Sequence, residues 1–234
     1  MTKSTLHQTK ITEIIKTVFE GNDNYVKHHH HNYFKSFQEN QTPNITLLAC
    51  SDSRVQVNIL GFDATNQVFV VRNMGNQIMP VFGSIDYGVL HLKTPLLIIM
   101  GHTHCGAIKS VFSNYEDEPF DIIRELDHLS IPIRHLKHGN YDLEKDWLHI
   151  VEQSIDYQVK LASKKYHKLI EEGTLTVVGM IDDFINVYKS GEGRLIMINV
   201  NGEKSIGKMK KHPIFVDFTE DQINLVVKRE IRID

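Results

Sequence analysis

The chain has 234 residues, of which 41% are hydrophobic and 24% charged, and its formal net charge at pH 7 is -3. This composition is typical of a soluble globular protein, and so small a net charge gives no reason to expect a nucleic acid or a membrane surface as partner. We recognise no secretory signal, and the longest apolar runs are too short to cross a bilayer, which favours a cytoplasmic protein.

The first forty residues predict a helical arm, about 1–40. Apolar residues recur at helical spacing over 7–20, and a second helical stretch follows at about 23–38. The second stretch contains the run His28 to His31. Neighbouring positions on a helix point in different directions, so we interpret this run as solvated rather than as a metal site.

The rest of the chain alternates apolar runs with amphipathic segments. Five runs predict strands, and three segments predict helices, the last one ending before Gly173 as its C-cap. The strands are expected at 44–49, 68–71, 96–100, 175–180 and 194–200, and the helices at 83–92, 105–112 and 151–170.

This order of elements predicts an α/β fold. Continuous apolar runs are typical of strands covered on both faces, and helices between them imply parallel crossovers. We expect one domain over 1–234 with a mostly parallel central sheet, about four parallel strands plus an antiparallel edge strand, flanked by helices. The tail, about 203–234, is atypical, and we expect its segment 223–233 to add a strand.

The two cysteines of the chain, Cys50 and Cys105, each lie just beyond one of these apolar runs, and His102 precedes Cys105 by three residues. The carboxyl ends of parallel strands meet at one edge of a sheet, where ligands bind. Two thiolates and one imidazole predict a zinc site with three protein ligands and an open position, which is the arrangement of catalytic zinc. Two alternatives remain, namely buried cysteines beside a core histidine, and a Cys50–Cys105 disulfide, which a reducing cytoplasm disfavours.

A carboxylate and a guanidinium follow the first cysteine, as Asp52 and Arg54. Side chains two positions apart can share a face and form bidentate hydrogen bonds. The pair is either a surface ion pair of little consequence, or a catalytic pair in which Asp52 orients the nucleophile while Arg54 holds the carboxylate away from the metal. If Arg54 released the carboxylate, Asp52 would be able to occupy the fourth coordination position of the zinc.

Four segments together, 50–55, 70–76, 83–89 and 101–107, resemble the β-class carbonic anhydrases. The resemblance covers roughly 20–200 and implies an α/β fold, one Zn²⁺ per chain and reversible hydration of CO2 to bicarbonate and a proton. It also implies a homodimer or a higher even oligomer.

The resemblance assigns roles residue by residue. Cys50, His102 and Cys105 match the zinc ligands, and Asp52 and Arg54 match the catalytic pair. Gln41 matches a glutamine that hydrogen-bonds substrate, Tyr87 an aromatic residue lining the cleft, and Gly106 follows the second cysteine at the cleft. Leu47 stands where some bicarbonate-inhibited members have tryptophan, which favours the plant-like form with an open zinc site.

Two functional hypotheses remain beside the main one. The same scaffold serves hydrolases of carbon disulfide or carbonyl sulfide, and a zinc-stabilised binding protein without catalytic activity would share the metal ligands. A structural site would not need Asp52, Arg54 or Gln41, which disfavours the second rival. His104 adjoins the ligands, and its ordinary pKa suits a proton shuttle, although an exposed loop histidine is the simpler interpretation.

Overall fold

A computed structural model describes residues 3–230, except for residues 138 and 140. The chain divides into two compact units, Met1–Gln41 and Thr42–Asp234, which are described separately.

The first unit is helical. Helix α1 (Lys3–His28) is continuous through the point where the sequence predicted a break, and α2 (His31–Lys35) follows after two residues. Gly21 is the weakest helix former near the expected break, but a glycine within a helix costs only about 1 kcal/mol. One face of α1 is exposed and apolar, including Ile14, Val18 and Phe19.

The second unit contains a five-stranded sheet in the order β2-β1-β3-β4-β5. The first four strands are parallel, and β5 runs antiparallel to β4 at one edge. This is the predicted mostly parallel sheet with one antiparallel edge strand. The strands are β1 (Ile45–Cys50), β2 (Val68–Asn73), β3 (Leu96–His102), β4 (Thr176–Asp183) and β5 (Arg194–Val200).

Helices connect and flank the strands. The segment predicted at 83–92 is a short α-helix followed by one π-helical turn over Tyr87–His91. Helix 120–137 was not predicted. The second unit has α3 (Phe82–Asp86), α4 (Gly106–Phe112), α5 (Phe120–Lys137), α6 (Leu143–Lys165), α7 (His167–Glu171), α8 (Ile206–Met209) and α9 (Glu220–Val226).

Helix α6 packs closely on the centre of the sheet. It begins at Leu143 rather than at 151, because Asp142 caps it by accepting hydrogen bonds from the backbone N–H groups of Glu144 and Lys145. A β-carbon added at Gly101 of β3 would lie 2.6 Å from Cδ1 of Ile155 in this helix. The close approach brings α6 against the sheet beside the carboxyl end of β3.

The tail differs from the prediction. The segment expected to form a strand from 223 is mostly helix α9, and only Val227 makes an isolated bridge, to Met197 of β5. The reason is a capping box, in which the side chains of Thr219 and Gln222 each bind the other residue's backbone N–H and start a helix. Residues 231–233 of the predicted strand lie outside the described part of the chain.

Candidate active site

The three predicted metal ligands converge at the carboxyl edge of the sheet. Cys50 ends β1 and His102 ends the adjacent strand β3, while Cys105 immediately precedes α4. Their ligand atoms all lie within 4.8 Å of one another, and all three side chains are buried. Both cysteines are free. Among the described residues, this is the one group of three or more His, Cys, Asp or Glu side chains placed to share a metal ion, so the histidine run at 28–31 forms no such group.

The hydrogen bonds around these ligands suit a metal. Nδ1 of His102 lies 3.0 Å from the carbonyl oxygen of Thr103, which can only accept a hydrogen bond, so Nδ1 is the donor and Nε2 is the ring nitrogen available to a metal. That Nε2 is buried and has no hydrogen-bond partner among the described residues. One imidazole nitrogen and two sulfurs form a donor set that suits Zn²⁺, so the residues present fit this ion.

The two thiols influence one another. The hydrogen bond with Cys105 lowers the pKa of Cys50, and the backbone N–H of Gly75 also donates to its Sγ, at 3.3 Å. The same thiol contact, together with burial, raises the pKa of Cys105. A metal is bound by thiolates, so its binding through both sulfurs would release the proton that the two cysteines share.

Asp52 and Arg54 form a bidentate pair beside the ligands. Nε of Arg54 donates to Oδ1 of Asp52 at 2.9 Å, and Nη2 donates to Oδ2 at 2.7 Å. These hydrogen bonds hold the pKa of Asp52 well below its usual range. Oδ2 of Asp52 is also 3.8 Å from Nε2 of His102. The carboxylate is thus ionised, oriented and next to the three ligands.

Arg72 fixes the backbone turn that carries this pair. Its Nη2 donates to the carbonyl oxygens of Cys50, Asp52 and Val55 at 2.8, 3.0 and 2.6 Å. Arg72 lies on β2, beside β1 in the sheet. In the sequence, Arg72 stood out only as part of the segment 70–76, although an arginine near the end of a buried strand was a usable signal.

Two aromatic residues that the sequence analysis missed stand around Arg54 and His104. The guanidinium of Arg54 lies 5.3 Å from the ring centre of Phe184, and its Nη2 donates to the carbonyl oxygen of His104 at 3.2 Å. The imidazole of His104 stacks on Trp147 of α6, with ring centres 4.4 Å apart. Neither aromatic residue belongs to a polar motif, so no local pattern marked them.

A cavity of about 390 Å³ opens beside Cys50 and Asp52. Its wall combines polar groups from the site with apolar side chains from α4 and α5. The lining residues are Cys50, Ser51, Asp52, Met74, Gly106, Ala107, Ser110, Glu118, Ile122 and Leu126.

The remaining predicted site residues differ in what the structure says of them. Gly106 lines this cavity, and a β-carbon added there would meet nothing within 4 Å. Tyr87 is 44% exposed, packs against Phe69 and His91, and does not line this cavity. Gln41 is exposed and is the last residue of the N-terminal unit. Substrate contact by Gln41 and Tyr87 stays a prediction.

Known proteins resemble this chain in both sequence and structure. Residues 45–188 match the family described as carbonic anhydrase. The carbonic anhydrase of Synechococcus elongatus is 26% identical over 76% of this chain and 68% of its own length. That of Synechocystis is 29% identical over 71% of this chain and 64% of its own length. The chain thus spans about two thirds of these relatives.

Solved structures show the same fold. The β-carbonic anhydrase CcaA superposes with a TM-score of 0.70 at 23% identity, covering 82% of this chain and 88% of that one. The β-carbonic anhydrase CafA of Aspergillus fumigatus superposes with a TM-score of 0.66 at 22% identity, covering 91% of this chain and 100% of that one. The family match covers more than half of the chain and includes every residue of the cysteine–histidine site, so this chain belongs to the carbonic anhydrase family and has the fold of its β class.

Proposed function

We propose that this protein catalyses the zinc-dependent, reversible hydration of CO2 to bicarbonate and a proton. The observation that carries the proposal is the convergence of Cys50, His102 and Cys105 directly beside the Asp52–Arg54 pair. A purely structural zinc site needs neither the oriented carboxylate nor a cavity next to it, and this chain has both.

Cys50, His102 and Cys105 would hold one Zn²⁺. When bound, zinc lowers the pKa of water and so supplies a nucleophile. Asp52 accepts a hydrogen bond from the attacking water and orients its lone pair toward CO2, because its carboxylate is ionised and lies beside the ligand atoms. Arg54 holds that carboxylate in place through two hydrogen bonds.

The cavity supplies a suitable environment for CO2, which has no net dipole. Met74, Ile122 and Leu126 provide apolar walls, and Gly106 leaves room because it has no side chain. We place Gln41 as a donor to the developing negative charge on the substrate oxygen, and Tyr87 as part of the cleft. Both assignments rest on their matching positions in the sequence.

We further infer the plant-like, open form of the site. Leu47 is fully buried in β1, at the position where some bicarbonate-inhibited members have tryptophan. Arg54 binds both carboxylate oxygens of Asp52, which supports a carboxylate that stays off the metal. In the closed form, Asp52 would have to leave Arg54.

We also infer a homodimer or a higher even oligomer that acts in the cytoplasm. Tyr87, Leu90 and Met79 are exposed apolar side chains on the segment after β2, and a second copy would cover them. Two β-carbonic anhydrases of Sordaria macrospora are described as tetrameric.

The free thiols of Cys50 and Cys105 are compatible with a reducing compartment. Within the described residues, no helix has both the length and the apolar character needed to span a membrane.

Stopped-flow CO2 hydration tests the proposal. The purified protein is assayed as isolated, after treatment with a strong chelator, and after zinc is restored. We expect activity that the chelator removes and zinc restores. Carbon disulfide and carbonyl sulfide are assayed in parallel. Turnover of either sulfur compound without CO2 hydration would make the chain a hydrolase, and zinc binding without turnover of any of the three substrates would make it a binding protein.

A further inference from the structure

His104 has an unusual backbone conformation at a position between two of the metal ligands. Its φ is 53°, in the left-handed region that residues with a β-carbon rarely adopt. Its carbonyl oxygen accepts a hydrogen bond from Nη2 of Arg54 at 3.2 Å. The direction of this carbonyl depends on how the residue is held, so whatever restrains His104 also restrains Arg54.

Trp147 provides such a restraint. Its ring stacks on the imidazole of His104, with centres 4.4 Å apart and planes inclined by 24°. Trp147 belongs to the first turns of α6, which Asp142 caps and which the buried residues Ile150 and Val151 anchor in the core. The indole is therefore attached to a rigid element, whereas His104 belongs to a turn.

The stack is placed so that it can be altered without disrupting the core. Trp147 is partly exposed and stands on the wall of a cavity of about 570 Å³, which Leu143, Lys109 and His104 also line. Replacing the indole enlarges an existing open space rather than creating a buried void. Variants at this position should therefore fold.

We propose that Trp147 is a positioning residue for the catalytic pair, and that it acts through His104 on Arg54 and hence on Asp52. This inference rests on the proposed function. The chain of contacts runs from the Trp147 ring to the His104 ring, from the His104 carbonyl to Arg54, and from Arg54 to the carboxylate of Asp52.

Kinetics of Trp147→Leu, Trp147→Phe and the control Leu143→Ala test this chain. Trp147→Leu removes the stack and should lower kcat for CO2 hydration about tenfold, the effect of a 1.4 kcal/mol change in the barrier. Trp147→Phe keeps an aromatic face and should retain most of the activity. Leu143→Ala shortens a side chain that lines the same cavity and should leave kcat unchanged. Zinc content should remain at one ion per chain in all three variants.

A double-mutant cycle separates positioning from general damage. In an Arg54→Met background, Trp147→Leu should cause no further loss of kcat, because its effect passes through Arg54. His104→Asn, which tolerates the left-handed backbone but lacks the ring, should reproduce the loss seen for Trp147→Leu. Equal losses from Trp147→Leu with and without Arg54, or no loss in either, would overturn the proposal.

A spectroscopic measurement gives a result that does not depend on activity. The Nε–H resonance of Arg54, assigned by its disappearance in Arg54→Lys, should shift or broaden in Trp147→Leu and remain in place in Leu143→Ala. If the wild-type protein does not hydrate CO2 but this resonance responds, the proposed function fails and the positioning contact stands. If the wild-type protein is active and the resonance does not respond to Trp147→Leu, the positioning proposal fails.

Discussion

Arg54 donates hydrogen bonds to both carboxylate oxygens of Asp52, from Nε to Oδ1 at 2.9 Å and from Nη2 to Oδ2 at 2.7 Å. The same carboxylate lies only 3.8 Å from the free imidazole nitrogen of His102. Asp52 is therefore close enough to the predicted ligands to act on a molecule bound among them, and we expect Arg54 to keep it from becoming a ligand itself. Under the proposed function, this arrangement would distinguish a catalytic centre from a zinc site that only stabilises a fold.

Removal of the Asp52 carboxylate should separate metal binding from turnover. Asp52→Ala should keep one zinc per chain, because Asp52 is not one of the three ligands, but should lose about a hundredfold or more in kcat, the scale on which a misoriented reactant slows a reaction. Metal analysis and stopped-flow hydration measure the two effects. Asp217→Asn, an exposed carboxylate on the tail, is the control. Full activity in Asp52→Ala would remove Asp52 from the mechanism.

The activity should rise toward alkaline pH. Two thiolates cancel the charge of zinc, so this site should acidify water less than a three-histidine site, where the pKa is about 7. Asp52 does not set this profile. Its pKa is depressed, so its ionised form and its stabilising effect are present above the ordinary carboxyl pKa and are lost only as the pH falls through the lower folded-state value. A flat rate profile between about pH 7 and 9 would contradict the charge argument.

Arg72 should prove essential to the shape of the site. Arg72→Met leaves three carbonyl oxygens of the 50–55 turn without their shared donor, and we expect a loss of about 2–3 kcal/mol in the free energy of unfolding together with weaker zinc binding. Urea unfolding and zinc titration measure these effects. Arg124→Met removes an exposed pair with Asp121 and should change neither quantity appreciably. Equal behaviour of the two variants would show that the Arg72 contacts contribute little.

The stability of the protein should depend on Arg229, which lies in the tail. This guanidinium binds the buried carboxylates of Glu152 and Asp156, at 3.0 and 2.9 Å. Removal of one partner from such a buried group costs about 3–5 kcal/mol, so Arg229→Met should destabilise the protein strongly near neutral pH. Lys208→Met, which breaks an exposed pair with Glu203, is the control for lost charge.

The loss in Arg229→Met should shrink on acidification. Burial already raises the pKa of Glu152, so the folded state binds a proton more readily than the unfolded chain, and the cost of burying this carboxyl rises with pH and falls as pH is lowered. Without Arg229, which favours the ionised form, the pKa should rise further. Thermal unfolding of the wild type and of Arg229→Met, from neutral to mildly acidic pH, measures the difference in stability between them. A difference that grows toward acidic pH would refute the claim that Arg229 stabilises the ionised form of Glu152.

The sequence predicted the parts of the structure that follow from local patterns. Continuous apolar runs marked all five strands, and Cys50 and His102 come together because strand ends of a parallel sheet share one edge. Helix α5 was missed because its moderate amphipathic pattern is interrupted by Pro132, a residue that usually ends helices. The tail strand was wrong because a capping box at Thr219 outweighed the β-branched residues that follow.

Long-range contacts were beyond sequence reasoning. Trp147 and Phe184 reach the site from distant elements, and nothing in their neighbours marks them as partners of His104 and Arg54. In the same way, Arg72 was recognisable as polar at a strand end, but its three carbonyl partners depend on the register of two strands.

The central claim is that two sulfurs and one ring nitrogen hold a single zinc ion and leave one coordination position for solvent. Zinc-edge X-ray absorption on the purified protein, combined with metal analysis of the wild type and of Cys50→Ala, tests it most directly. We predict one zinc per chain, with two sulfur neighbours at about 2.3 Å, one nitrogen at about 2.0–2.1 Å and one exchangeable light donor, and no zinc in Cys50→Ala. Wild-type protein without stoichiometric zinc, or a spectrum without two sulfur neighbours, would contradict the account.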